Sequence, residues 1–453
     1  MTSPSSASLL NKTARFFEFS RLRTTWKQEI IAGITTFVTM AYILAVNPII
    51  LSGAIFLERK GDLAGELAIA TAVSAAIATA IMAIYAKLPF GLAPGMGLNA
   101  YFTFTLVQTL GIDWRAALGA VLIEGGVFIV LTVTHVRSRI ITLIPNAIKH
   151  ATTAGIGLFI AYIGLRNAGL IVAGDANTPP SLGDLRAASS AIACFGLLIT
   201  AAFVTRRITG ALLWGILATA LLAWGTGIAN WPQQVVGIPD FPTHLFGQAF
   251  VGLSALWRIN LWNALSIIFV LLFVDLFDTI GTLSGLGAKT GYIDRQGRFP
   301  GSEKAMMADA VGTTAGAVLG TSTVTTYIES AAGIEEGGKS GATALVVAVL
   351  FVISTLFIPL LSAIPAIATA PALIIVGSFM LSGVGRIDWQ DPAEAIPSFL
   401  TLLMMPLSFS IAEGIAVGLI TYPILKLIQG KGAEVSWGLW LLAALFIIRY
   451  AFI

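Results

Sequence analysis

Apolar runs of about 20 residues follow one another along this chain, separated by short polar punctuation, and 20 residues is the length a helix needs to cross a bilayer. The pattern predicts spans near 30–50, 67–87, 91–110, 115–134, 149–168, 188–205, 209–228, 262–285, 305–320, 321–335, 340–360, 365–384, 394–409 and 411–428, with a further apolar stretch at 437–452. Two of them break the helical pattern. GLAPGMGLNAYF, Gly91 to Phe102, puts three glycines and a proline within a dozen residues. GTSTVTTYIESAAG, Gly320 to Gly333, is rich in β-branched residues and hydroxyls. Neither composition suits a continuous helix.

The two halves repeat. Ile144-Pro145-Asn146-Ala147-Ile148 opens one apolar segment and Ile364-Pro365-Ala366-Ile367-Ala368 another, each followed by two more spans. The interrupted segments fall third in each half. Seven spans per half insert the second copy upside down relative to the first. Gly/Pro-interrupted segments at matching places of two inverted halves point to a transporter's binding site. The bland reading is that small residues only let helices pack closely. Two such segments in register favour a site.

Composition agrees. With 57% hydrophobic and 11% charged residues and a mean hydropathy of +0.88, the chain cannot cover a soluble surface, so it is an all-α polytopic membrane protein. The basic first 29 residues lead straight into a full-length span, with no cleavable signal peptide evident. A lone cysteine, Cys194, excludes an intramolecular disulfide. Placing the N-terminus in the cytoplasm assigns 19 Lys and Arg to that side and six to the other, Arg449 in the tail aside, as the positive-inside rule requires. The same rule explains Arg137 and Arg139 without nucleic acid.

The chemistry concentrates in FVDLFDTIGTLSGL, Phe273 to Leu286. Asp275 and Asp278, at i and i+3, share a helix face. A carboxylate at membrane depth costs several kcal/mol, roughly 3 on insertion scales, unless paired, protonated or wetted, and no Lys or Arg lies in that span. This face therefore lines a polar cavity, as a proton site, a substrate site or both; the rival reading is a structural carboxylate capping a broken helix. If Thr321 to Tyr327 is extended, Glu329 stands where the chain turns helical, near the positive end of that helix, with the backbone of Thr326, Tyr327 and Ile328 beside it. Unwound backbone at this depth must be buried in protein or line a cavity. Asn99 occupies the corresponding place in the first half and offers both donor and acceptor. An amide, carboxylates and two backbone edges suit a flat, hydrogen-bonding ring and suit an anion poorly.

Other polar residues read as structural. Glu124 is expected to bond between helices, Asp309 and Glu413 to lie nearer span ends as structural or cap residues, and Tyr42 and Phe102 mainly to pack, although either could stack on a ring. His135, His150 and His244 fall at span ends or in loops, leaving no histidine relay. Asp275-x-x-Asp278 superficially fits an intramembrane prenyltransferase that uses magnesium, but its second acidic motif, Glu335-Glu336, lies at a span end and phosphate-binding basic residues are lacking. An anion exchanger would want a cation or a bare helix N-terminus at the site.

GLAPGMGLNAYF, VDLFDTIGTL and TSTVTTYIESAAGIEEGGKSG, in this order and spacing, resemble the azaguanine-like (AzgA-like) purine permeases of the nucleobase–cation symporter-2 group, related to the uracil and xanthine permeases. The resemblance covers nearly the whole chain. It implies 14 transmembrane segments in a 7+7 inverted repeat, with short antiparallel strands in spans 3 and 10. It implies a core domain (30–134 and 262–360) and a gate domain (135–228 and 361–428), flanked by a cytoplasmic segment (1–29) and a tail with an apolar helix (429–453). It further implies a homodimer in the plasma membrane, a bacterial inner membrane, importing adenine, guanine or hypoxanthine with a proton as coupling ion and no other cofactor. Asp278 in FDTIG matches the span-8 glutamate of uracil permeases and Glu329 in TTYIES their span-10 glutamate; Asp275 and Asn99 belong to the AzgA-like pattern. The uracil-type span-8 histidine is replaced by Thr282, so the proton must rest on a carboxylate: Asp275, Asp278 or Glu329. Substrate contact is expected from Glu329, Asp278, Asp275, Asn99, Thr326, Tyr327, Ile328 and Phe102.

Overall fold

A computed structural model describes residues 11–134, 144–172, 174, 180–256, 258–259, 261–290, 292, 299 and 301–452; Arg137 and Arg139 lie outside them. The first span is two helices, α1 (Trp26–Met40) and α2 (Ile43–Leu51), with a break at Ala41-Tyr42. The second, α3 (Ala64–Ile81), ends in a π-turn. Pro94, which has no amide hydrogen to give a helix, closes the short strand β1 (Leu92–Pro94), after which α4 (Met96–Ala100) continues as π-helix to Thr109. α5 (Trp114–Val133) starts where the Asp113 carboxylate accepts the Arg115 N–H at 2.7 Å.

α6 (Asn146–Asn167), α7 (Ala188–Thr205) and α8 (Ala211–Gly225) follow, with a small hairpin, β2 (Ile171–Val172) and β3 (Ser181–Leu182), that the sequence pattern did not suggest. A short helix, α9 (Gln248–Leu256), also unforeseen, precedes α10 (Leu261–Thr290). α11 (Ser302–Leu319) ends on Gly320 at φ 93°, a left-handed conformation cheap only for glycine. The chain then turns into β4 (Val324–Thr326), whose β-branched residues suit an extended chain, and into α12 (Ser330–Glu335). α13 (Gly341–Ser354), α14 (Ala366–Met380), α15 (Pro392–Leu407), α16 (Ile411–Ile428) and α17 (Trp437–Phe452) complete the chain.

Among the described residues nine helices are long and apolar enough to cross a membrane. Where α6 crosses α14, Gly157 and Gly377 face each other so closely that a Cβ on either would strike the carbonyl of the other, close packing of the kind small residues permit in membranes. The buried Glu29 of α1 caps a different helix, accepting the N–H groups of Ser340 and Thr343 and the Thr343 hydroxyl at the start of α13. The tail segment folds back: α17 packs against α16, the Tyr450 hydroxyl donates to the Glu413 carboxylate in the first turn of α16, and the Phe446 ring meets Phe269 of α10 at 5.6 Å.

Candidate functional site

The two interrupted segments meet. β1 and β4 pair antiparallel, Leu92 opposite Thr326 and Pro94 opposite Val324. The ladder is extended at both ends, by Gly95 N–H to Thr323 O and Tyr327 N–H to Gly91 O, each 3.0 Å. Two threonines on flanking helices grip the strands in the same way. The Thr79 hydroxyl of α3 donates to Leu92 O (3.0 Å) and accepts Leu92 N–H (2.9 Å). The Thr313 hydroxyl of α11 donates to Val324 O (2.9 Å) and accepts Val324 N–H (3.3 Å). Strands of three residues would not persist alone; these borrowed hydroxyls satisfy the peptide groups of the first residue in each.

Glu329 occupies the N-cap position of α12, beside the positive end of the helix, and its Oε1 accepts the Tyr42 hydroxyl at 2.7 Å. Tyr42 sits in the break of the first span and is fully buried, so the residue expected to pack holds a carboxylate instead. Asp278 of α10 is partly exposed and faces the break of the third segment, its Oδ2 3.7 Å from where a Cβ on Gly95 would stand. Asp275, one turn earlier, is wholly buried, and its Oδ1 accepts the Thr279 hydroxyl at 3.3 Å. That hydroxyl also lies 2.8 Å from Asp309 Oδ2 and 3.2 Å from the Thr325 hydroxyl. Asp309 Oδ1 in turn accepts from Thr326 at 3.3 Å.

Asp309 is thus no span-end cap. It is fully buried within α11 and joins the Asp275 side of α10 to β4. The sequence places it four residues into the predicted span 305–320 and so suggests a structural or cap residue rather than a member of the site; an acid inside the Ala/Gly/Thr run MMADAVGTTAGAVL was the available signal.

Asn99 is buried in α4, and its Oδ1 accepts the Ser322 hydroxyl just ahead of β4, so it braces the strand pair from the other side. Its Nδ2 has no partner among the described residues. Tyr327 is buried with its hydroxyl on Pro94 O at 2.6 Å, again across the pair. Ile328 is 49% exposed, and Phe102 is fully buried in the π-segment after α4. Glu124 of α5 bonds between elements as expected, accepting the Thr323 hydroxyl at 2.8 Å. The assembly offers partly exposed carboxylates at Asp278 and Glu329, an amide, and paired backbone edges at one place.

Residues 27–417 match the Xan_ur_permease model, described as a permease family. The chain belongs to this permease family. It is 42% identical to the guanine/hypoxanthine permease PbuO of Bacillus subtilis over 438 residues, covering 96% of this chain and 99% of the relative. It is 39% identical to the adenine permease AdeP of Escherichia coli over 439 residues, 97% and 96% of the two chains. Among solved structures, the transmembrane domain of the cyanobacterial bicarbonate transporter BicA superposes with a TM-score of 0.60 over 85% of this chain and 97% of that one, at 16% identity, a likeness of fold alone. The protein is accordingly a multi-pass membrane permease and not an enzyme, which removes the prenyltransferase reading.

Proposed function

We propose that this permease imports purine nucleobases (adenine, guanine or hypoxanthine) together with protons, exposing its site alternately to the two sides of the membrane. Two observations support the substrate class: relatives about 40% identical over nearly their whole length are named as guanine/hypoxanthine and adenine permeases, and the site combines acids, an amide and backbone edges. The single observation that carries the reading is Glu329, set at the junction of β4 and α12 with the backbone pair beside it. A neutral heterocycle presents N–H donors and ring-nitrogen acceptors, which these groups complement. The fold shared with BicA does not argue for an anion, because the carboxylates gathered here would repel one.

The proton would rest on Asp275, Asp278 or Glu329. Holding several carboxylates ionised at membrane depth is costly, and uptake of one proton relieves the cost. The 14-span, 7+7 architecture is supported from within the chain. Gly157 lies twelve residues after Pro145 and Gly377 twelve after Pro365, and they meet face to face. Thr79 and Thr313 make matching bonds to opposite strands. Such pairs are what a two-fold axis in the membrane plane would generate. In this reading spans 1–4 and 8–11 form the core and 5–7 and 12–14 the gate, the N-terminus is cytoplasmic, and the protein is a homodimer of a bacterial inner membrane.

The test is uptake of radiolabelled adenine, guanine, hypoxanthine and uracil into proteoliposomes, with and without an inward proton gradient. Gradient-driven accumulation of a purine is expected. Binding that ignores the gradient would retain the site and remove the proton role; binding of no base would overturn the reading.

A further inference from the structure

A cavity of about 440 Å³ lies along the π-segment that follows α4. Its walls come from the whole length of the π-segment after α4, Tyr101 to Thr109, the starts of α5, α10 and α16, and the turn Ser408–Ser410 between α15 and α16. The volume falls in the range of small-molecule sites. Ile267 and Val270, in its wall, stand eight and five residues ahead of Asp275 on α10, so the cavity comes within about 8 Å of the carboxylates along that helix. Its lining includes no Lys or Arg. The two acids there are engaged, Asp113 with Arg115 and Glu413 with Tyr450. Asn263 and Ser266, one turn apart on α10, line the space, and no hydrogen bond joins either side chain to another described residue. Ile112, Ile267 and Val270 supply apolar walls.

The far wall is built under strain. Phe409, at the centre of the Ser408–Ser410 turn, holds φ 55°, costly for a residue with a Cβ. Its ring is wedged edge-on against Phe104, Phe159 and Tyr162, and its carbonyl accepts the Thr105 hydroxyl at 3.2 Å. The turn that closes the cavity is thereby fixed to both the π-segment and α6.

We propose that this cavity is a second subsite for the nucleobase, a waypoint that receives the uncharged ring between apolar walls and hydrogen-bonds it through Asn263 and Ser266. The proposal rests on the purine reading above. Walls without a cation, with an amide and a hydroxyl that bond to no other described residue, fit a neutral heterocycle and offer an anion nothing.

Cys194 is the chain's only cysteine, so Cys194→Ala gives a background in which Ser266→Cys or Asn263→Cys carries the one thiol. The rate of modification by a methanethiosulfonate reagent is measured in nanodiscs, with and without millimolar adenine or hypoxanthine, with Glu329 present and in Glu329→Gln. Labelling slowed at least threefold by the base in both backgrounds is expected. Protection seen only with Glu329 present would mean that closure of the inner site hides the thiol, and would overturn the subsite; so would a rate unchanged by either base at both positions. Radiolabelled base binding to the same samples reports the inner site separately, so failure of the purine reading and failure of the subsite give different results.

Discussion

At the residue scale the site depends on how single carboxylates are held. Glu329 accepts a hydrogen bond from the Tyr42 hydroxyl. Removing that donor with Tyr42→Phe should weaken nucleobase binding about fivefold, the worth of one such bond at roughly 1 kcal/mol. Glu329→Gln, which loses the carboxylate itself, should lower affinity by more than tenfold and abolish uptake. Equilibrium binding of radiolabelled base to purified, well-expressed variants checks both. Normal affinity in Glu329→Gln would remove Glu329 from the site. The acids on α10 and at α12 were legible in the sequence because a charge inside an apolar run is expensive and demands a reason. Tyr42 and Asp309 were not, because a tyrosine in a span is ordinarily packing, and Asp309 looked close enough to a helix start to be a cap. Both are tied to the site by contacts more than a dozen residues distant in sequence, Tyr42 to Glu329 and Asp309 to Thr279 and Thr326, and no local pattern announces these.

At the scale of elements, the short strands depend on borrowed hydroxyls. Thr79→Val and Thr313→Val keep shape but each leave one peptide N–H and one C=O of a buried strand without that partner. Each should cost about 1–3 kcal/mol, read as a lower melting temperature in detergent, and the two losses should be alike if the halves are equivalent. A clear drop for one and none for the other would count against that equivalence. The breaks themselves were readable from Gly, Pro and β-branched residues, whereas the pairing of β1 with β4 followed from a family resemblance, since three-residue strands carry no register signal of their own. A different element end gives a pH prediction. Asp391 caps α15, donating no proton but accepting from Lys426 (2.7 Å) and Gln429 (2.6 Å). The Lys426 ammonium, then Gln429, hold its carboxyl down to about 2. Because the folded value lies below the unfolded one, this contribution to stability is present above about pH 4 and fades as pH falls toward 2. Asp391→Asn should therefore lower the melting temperature at pH 6 and shrink the wild type's further loss between pH 4 and pH 2; a parallel pH profile would contradict the assignment.

At the scale of the whole molecule, transport by alternating access requires one body to move against another, and the aromatic cluster around Phe409 spans the proposed boundary. Phe104 belongs to the third segment, which also carries β1 and Asn99, while Phe159 belongs to α6 and Phe409 to the turn before α16. The rings of Phe104 and Phe409 lie 5.6 Å apart, a spacing that a bifunctional thiol reagent bridges when both are cysteine. Packed interfaces of this kind shift between discrete arrangements rather than stretching, so a covalent tie should hold one of them. In a Cys194→Ala background, Phe104→Cys with Phe409→Cys should transport nucleobase until treated with a short, reducible bis-methanethiosulfonate. Uptake should then fall to the level of empty liposomes, and dithiothreitol should restore it. Each single cysteine, treated alike, separates the tie from simple modification. The double variant also removes two rings that hold a strained turn, so its uptake before treatment is the necessary baseline. If the cross-link forms quantitatively and uptake continues unchanged, the third segment and the α15–α16 turn do not separate during transport, and the division into a moving core and gate fails at this seam.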